Sequence, residues 1–203
     1  MVGTKVDFKH ELREFYAARR SPMLVEVPEL AFLMIDGHGD PNTSREYREA
    51  VSALFSVSYA ARFALKRAGV IDFGVMPLEG LWWASDMSAF SIADKSAWKW
   101  TMLIMQPGEV TAEVLAEAKV KAAAKVPVGV LERLRLERFA EGLAVQVLHV
   151  GPYSAEGPTV ASLHAFIAEQ GRKLAGKHHE VYLGDPRRSA PEKLKTIIRQ
   201  PMC

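Results

Sequence analysis

The segment His178-His-Glu-Val-Tyr182 brings an imidazole, a carboxylate and a phenol to alternating positions. In an extended strand, His178, Glu180 and Tyr182 share one face. If that face is covered, a mid-strand carboxylate among aromatic neighbours is partly desolvated, which raises its pKa and readies it for acid/base work or for pairing with a cation. An open face would leave Glu180 a solvated strand residue, and the segment alone leaves both readings standing. Glu79, ahead of Gly80-Leu-Trp-Trp83, is a second carboxylate in a strand-like run. The two carboxylates could converge on one groove, or either could be a surface residue.

Trp82, Trp83, Trp98 and Trp100 give the surrounding runs an aromatic density that needs a partner, because each ring carries a large apolar area. Any one of them is accounted for as core. Trp82 and Trp83 are neighbours and point to opposite faces of a strand, so at most one of them faces the core and the other must be exposed or cover a site; for the pair, a ligand surface is expected. Phe55 and Tyr59 stand at i,i+4 on a helix flank that could face a groove. Met105 closes the strand that begins at Trp98, Tyr153 follows the Gly151-Pro152 corner, and both join the candidate lining.

Other chemistries lack support. His178 and His179 are sequence neighbours on opposite strand faces and cannot chelate together, and His38, His149 and His164 show no ligand spacing, so no metal site is expected. Gly37-His-Gly39 lacks the following glycine and lysine of a phosphate loop, and no serine sits in a Gly-x-Ser-x-Gly elbow. The expected chemistry needs no cofactor.

The elements that must position these residues occur twice. An apolar run Ala31-Phe-Leu-Met-Ile35 meets a Gly/Pro corner, then a long amphipathic helix, then two strands, Leu78 to Ala84 and Trp98 to Met105, joined by a polar loop around Asp86 to Ser96. Thr43 with Glu46 has capping-box spacing for that helix, whose apolar stripe reads Tyr47, Val51, Leu54, Ala61 and Leu65 with Ser58 as a gap. An alanine-rich helix, about 111–125, bridges to a second cycle. Ala144-Val-Gln-Val-Leu-His149 leads into a helix from about Pro158 to Gln170 and a hairpin of His178 to Leu183 with Lys195 to Arg199. A short helix from Asp7 to Ala18 precedes both cycles. The expected fold is α+β, a duplicated β-α-β-β repeat with pseudo-twofold symmetry, with antiparallel sheets and two long helices flanking a ligand cleft. Repeat 1 covers about 28–107 and repeat 2 about 134–203, within one domain spanning 1–203.

The chain of 203 residues is about half apolar and carries 26 basic and 24 acidic residues mixed along its length, so no electrostatic footprint for nucleic acid stands out. The one cysteine, Cys203, excludes an intramolecular disulfide. No apolar run reaches the roughly 18 residues of a membrane span, and the N-terminus lacks a basic-then-apolar signal pattern. A cytoplasmic protein, monomeric or weakly dimeric, is expected.

Several long motifs, in order, then carry a resemblance. They are Phe32-Leu-Met-Ile-Asp-Gly-His-Gly-Asp-Pro-Asn42, Leu54-Phe-Ser-Val-Ser-Tyr-Ala-Ala-Arg-Phe63, Pro77-Leu-Glu-Gly-Leu-Trp82 and His149-Val-Gly-Pro-Tyr153. With them come His179-Glu-Val-Tyr-Leu-Gly-Asp-Pro-Arg-Arg188 and Lys193-Leu-Lys-Thr-Ile-Ile-Arg199. Together they resemble the stand-alone GyrI-like small-molecule-binding proteins over nearly the whole chain. The resemblance implies a fold shared with the effector domains of multidrug-responsive transcription regulators, which hold lipophilic, often cationic aromatic drugs in a cleft with a glutamate at its base. The stand-alone branch also includes hydrolases that open the cyclopropane of DNA-alkylating genotoxins. By motif, the central glutamate falls on Glu180, the helix tyrosine on Tyr59 and the strand aromatic on Trp82. Expected partners are therefore hydrophobic aromatic small molecules. The expected roles are catalysis for Glu180, Tyr59 and Tyr182, and ligand contact for Phe55, Glu79, Trp82, Trp83, Met105, Tyr153 and His178. Catalytic detoxification, non-catalytic sequestration and sensing alongside a separate regulator remain alternatives.

Overall fold

The computed structural model describes residues 3–84 and 95–203. In chain order it holds β1 (Thr4–Val6), α1 (Phe8–Glu11), α2 (Arg13–Tyr16), β2 (Met23–His38), α3 (Arg45–Arg67), β3 (Ile71–Phe73), β4 (Leu78–Trp83) and β5 (Lys99–Met105). The chain continues through α4 (Ala112–Ala122), α5 (Val128–Arg133), β6 (Arg135–Val150), α6 (Gly157–Glu169), β7 (His178–Tyr182) and β8 (Lys195–Pro201). The fold is α+β, and the order long strand, helix, strand, strand occurs twice. In each cycle the last strand turns back to pair antiparallel with the first, β5 on β2 and β8 on β6. Contacts group the residues into two units. Unit 1 comprises 1–11, 30–76 and 82–139, and unit 2 comprises 12–29, 77–81 and 140–203.

In unit 1, β2 and β5 pair from Phe32 opposite Met105 to His38 opposite Lys99. α3 begins at Ser44, whose Oγ accepts from the Tyr47 backbone N–H at 3.1 Å. Ser44 rather than Thr43 is therefore the cap; the residues are adjacent and both carry a hydroxyl, and only Ser44 precedes the first helical turn. The helix ends at Gly69, which takes φ +71°. Its buried face is Ala50, Ala53, Leu54, Val57, Ser58, Ala61 and Leu65, while Tyr47 and Val51 are half-buried. The stripe is thus rotated toward the alanines, which bring α3 close to the small residues Ala118 and Ala122 of α4. β1 pairs in parallel with β3, an addition not expected from the sequence.

In unit 2 the strand order is β4–β7–β8–β6. α6 covers a core of Val145, Val147, Leu163, Ile167, Ile198 and Met202. The helix expected from Asp7 to Ala18 is two short pieces, because Leu12 leaves the helical region at φ −100°, ψ 26°. Both long strands extend well beyond their apolar runs, to 16 residues each, and α5 is a short helix between α4 and β6. Of the polar loop expected around Asp86 to Ser96, all but Lys95 and Ser96 lies outside the described residues.

Candidate functional site

β7 is five residues long, and its alternation separates two polar systems within unit 2. On one face, Glu180 Oε1 lies 3.1 Å from His178 Nε2, with 13% and 11% of the two side chains exposed. Tyr182 continues this face, and the ring of Tyr153 meets it edge-on at 5.7 Å and 79°. Burial first, then the charges of Glu180, Glu156 and Asp185, push the Tyr153 hydroxyl up to about 12, so it remains a neutral donor through the physiological range. His164 on α6 was not singled out from the sequence. Burial and the neighbouring His178 lower its pKa, and its Nε2 is buried without a hydrogen-bond partner. Its position two turns into a helix gave no sign of this, because its nearness to His178 is set by how α6 packs and not by spacing in the sequence.

On the other face of β7, His179 is held on both ring nitrogens. Nε2 lies 3.0 Å from Glu79 Oε2, and Nδ1 lies 2.9 Å from both oxygens of Glu141. Tyr16 donates its hydroxyl to Glu79 Oε1 at 2.7 Å, and Arg199 donates to Glu141 Oε2 at 2.9 Å and to Gln146 Oε1. His179, Glu79 and Glu141 each expose 1% of their side chains and Arg199 exposes 2%. Burial alone would push the His179 ring toward its neutral form, yet the attraction and hydrogen bonds of Glu141 and the bond to Glu79 raise it to about 9. Burial would likewise push the Glu141 carboxyl up, but His179 and then Arg199 carry it down to about 2. The Tyr16 hydroxyl is raised by burial and then by Glu79. Two carboxylates thus balance one imidazolium and one guanidinium, the condition under which buried charge is tolerated.

Glu79 and Glu180 accordingly do not converge on one groove. Glu79, on β4, meets one face of β7 and Glu180 lies on the other, since the histidines that bind them are adjacent in the strand.

In unit 1, Trp82 is 3% exposed, packed at 6.0 Å against Tyr47 and at 5.6 Å, edge-on, against Trp98. Trp83 is half-buried, so the neighbours divide as strand alternation requires. Trp100 and Met105 are buried. Phe55 and Tyr59 stack at 6.4 Å and 28° along α3, and Phe63 extends the row by another turn at 6.4 Å and 26°. Tyr59 is 45% exposed and Phe63 56%. An open cavity of about 340 Å³ in this unit is lined by Arg45, Arg48, Glu49, Ser52, Lys125, Val126 and Pro127, none of them singled out from the sequence.

Among the described residues no group of three or more His, Cys, Asp or Glu side chains is placed to hold a metal ion, and no helix is long and apolar enough to cross a membrane. The Glu180 face offers a carboxylate, an imidazole and two phenols, which suits proton transfer and the binding of a cationic or hydrogen-bonding aromatic molecule.

Residues 20–201 match the GyrI-like small molecule binding domain. No curated protein matches the chain. Among solved structures, an uncharacterized conserved protein from Listeria innocua is 44% identical, with a TM-score of 0.90 over 98% of this chain and 100% of that one. A hydrolase from Listeria innocua is 42% identical with a TM-score of 0.88, again over 98% and 100% of the two chains. The C-terminal domain of EcmrR shares the fold at 14% identity and a TM-score of 0.60, over 90% of this chain and 97% of that one. With its β-α-β-β order repeated and nearly its whole length matched, the chain belongs to the GyrI-like small-molecule-binding domain family.

Proposed function

We propose that this small-molecule-binding protein is a hydrolase of planar, lipophilic aromatic compounds, often cationic, that carry a strained cyclopropane ring. The observation that carries the reading is the Glu180–His178 pair at 3.1 Å, sheltered beside Tyr182 and Tyr153. The 42%-identical hydrolase from Listeria innocua, matched over its full length, supports a catalytic role. Cys203, the one cysteine and exposed, fits a reducing cytoplasm, where the protein acts as a monomer or weak homodimer in detoxification.

The chemistry follows from the residues. Ionised Glu180, oriented by His178, takes a proton from water as the water oxygen attacks a cyclopropane methylene. The bond from that carbon to the ring-bearing carbon breaks, and its electron pair moves through the ring to the ketone oxygen, which becomes a phenolate and is protonated by a tyrosine. Water is added overall and no cofactor takes part. Tyr182 shares the face of Glu180 and is the proposed donor. Tyr153, held neutral, donates to polar ligand atoms. Phe55, Tyr59 and Trp83 are proposed to offer apolar contact to aromatic ligands in unit 1, whereas Met105 and Trp82, 4% and 3% exposed, belong to its core.

The simplest substrate of this class is a spirocyclopropyl cyclohexadienone, whose hydrolysis gives a 4-(2-hydroxyethyl)phenol separable by chromatography. Wild-type protein should form it above buffer, and Glu180→Gln should lower turnover by about a hundredfold or more. An unimpaired Glu180→Gln protein would refute the assignment of the base. Binding of the dienone without product would leave a sequestering or effector-sensing protein built on the same residues.

A further inference from the structure

We propose that His179 is a positioning residue for Glu180: clamped between Glu79 and Glu141, its doubly protonated ring fixes β7 from the buried side while Glu180 presents its carboxylate on the other. This inference rests on the catalytic reading of Glu180 given above. With both carboxylates ionised, the geometry requires the cation. A neutral imidazole has one N–H, so with carboxylate oxygens at 3.0 Å on Nε2 and 2.9 Å on Nδ1 it would set a lone pair against a lone pair. Among the described residues, two further groups bond the ring's partners. Tyr16 from α2 donates to Glu79, and Arg199 from β8 donates to Glu141, so carboxylate, imidazolium and guanidinium hold one another in single rotamers.

A five-residue strand carries few contacts of its own, and apolar packing alone tolerates small sliding and rotation. Directional bonds to both nitrogens of a side chain next to Glu180 remove that freedom, and displacements on the order of 1 Å at a reacting group cost about a hundredfold in rate. The clamp is completed from the residues just ahead of the stretch that matches the family domain. The backbone carbonyls of Glu14, Phe15 and Ala17, and the Tyr16 hydroxyl, all bond to Gln146, Arg199 or Glu79, whereas the family match starts at residue 20.

Glu79→Gln separates the charge of the clamp from its shape. The amide N–H can donate to a neutral His179 Nε2, Nδ1–H still donates to Glu141, and Tyr16 still donates to the amide oxygen, so the bonds survive while the imidazolium is lost. The experiment follows histidine ring nitrogens by NMR in the ¹⁵N-labelled full chain from pH 6 to 10, with circular dichroism confirming the fold at each pH. In the wild type, His179 should carry both ring protons at neutral pH and lose one near pH 9, and the His178 ring should shift at the same midpoint. In Glu79→Gln, His179 should be neutral at pH 7.5 and the high-pH step of His178 should vanish. With the spirocyclopropyl dienone, the same variant should lose about ten- to a hundredfold in kcat with KM held within about twofold.

His179 titrating near its ordinary 6.5, or a His178 ring indifferent to the His179 step, would overturn the inference. If Glu79→Gln does not fold, Tyr16→Phe serves in its place. It removes one donor from Glu79 and should move the His179 midpoint, with His178 following; no movement of either overturns the coupling. The magnetic resonance result stands apart from turnover. Wild-type protein that binds the dienone without product would sink the hydrolase reading, and a fully active Glu180→Gln protein would move the base elsewhere, while the His179 titration and the His178 shift that follows it decide whether the clamp exists.

Discussion

His179 and Glu180 are consecutive residues that belong to different electrostatic systems. The imidazole of His179 reaches Glu79, 100 positions earlier in the chain, inside a buried set of charges. The carboxylate of Glu180 pairs instead with His178, two residues away, on the face that Tyr182 and Tyr153 share.

Stability should peak in mildly acidic solution. The His179 pKa rises on folding from 6.5 to about 9, so its contribution is complete below about 6.5 and is lost as pH climbs through 9. Glu141 falls from 4.5 to about 2, so its contribution is complete above 4.5 and is lost as pH drops through 2. Melting temperatures measured from pH 2 to 10 should therefore be highest between about 4.5 and 6.5. A curve still rising from pH 7 to 9 would contradict the charge assignment of His179.

Tyr16→Phe leaves Glu79 Oε1 buried without its 2.7 Å donor. Urea unfolding should show a loss of about 1–3 kcal/mol, the usual cost of an unsatisfied buried acceptor. A loss below about 0.5 kcal/mol would mean that water replaces the hydroxyl.

Gly37→Ala should be poorly tolerated. A Cβ there would lie 2.1–2.6 Å from carbons of the Trp100 ring, which is fully buried and edge-on to Tyr47 at 5.4 Å. Overpacking of this kind costs about 1–3 kcal/mol or more. Gly108→Ala, with nothing within 4 Å of the added carbon, is the control and should stay within about 0.5 kcal/mol.

Rhodamine 6G, a planar aromatic cation, should raise the melting temperature with concentration, by mass action worth about 2.7 kcal/mol at a hundredfold excess over Kd. Glu180→Gln should weaken the cation and spare a neutral aromatic of similar area. Trp83→Ala should weaken both, because stacking does not depend on ligand charge. Trp82→Ala is a poor probe of contact, since deleting a side chain that is 3% exposed costs about 3–5 kcal/mol of fold stability by itself. Equal losses for both ligand types in Glu180→Gln and Trp83→Ala would refute the division of roles.

The sequence made the repeated β-α-β-β order visible because helical and strand periodicities, Gly/Pro corners and hairpin spacing are local properties. The shared face of His178, Glu180 and Tyr182 was visible for the same reason, being set by strand alternation alone. What stayed hidden was non-local. Nothing near Glu79 announces His179, and nothing near His179 announces Glu141 or Tyr16; those meetings depend on strand order across a sheet. The cap of α3 was missed by one residue because Thr43 and Ser44 carry the same functional group. His164 was passed over because its chemistry comes from being buried near His178, a fact of packing rather than spacing.

The buried charge set also bears on how the chain reaches its native state. Its members come from α2, β4, β6, β7 and β8, and the bond from Arg199 to Phe15 spans 184 positions. Loops of that size close late, after local helices and hairpins have formed, so these bonds are absent from most of the folding transition state. Weakening them should leave the refolding rate nearly unchanged and hasten unfolding. Half-assembled forms, in which Glu79 or Arg199 is shut away from water before its counter-charge arrives, are correspondingly unfavourable, so unit 2 should open as a whole rather than strand by strand.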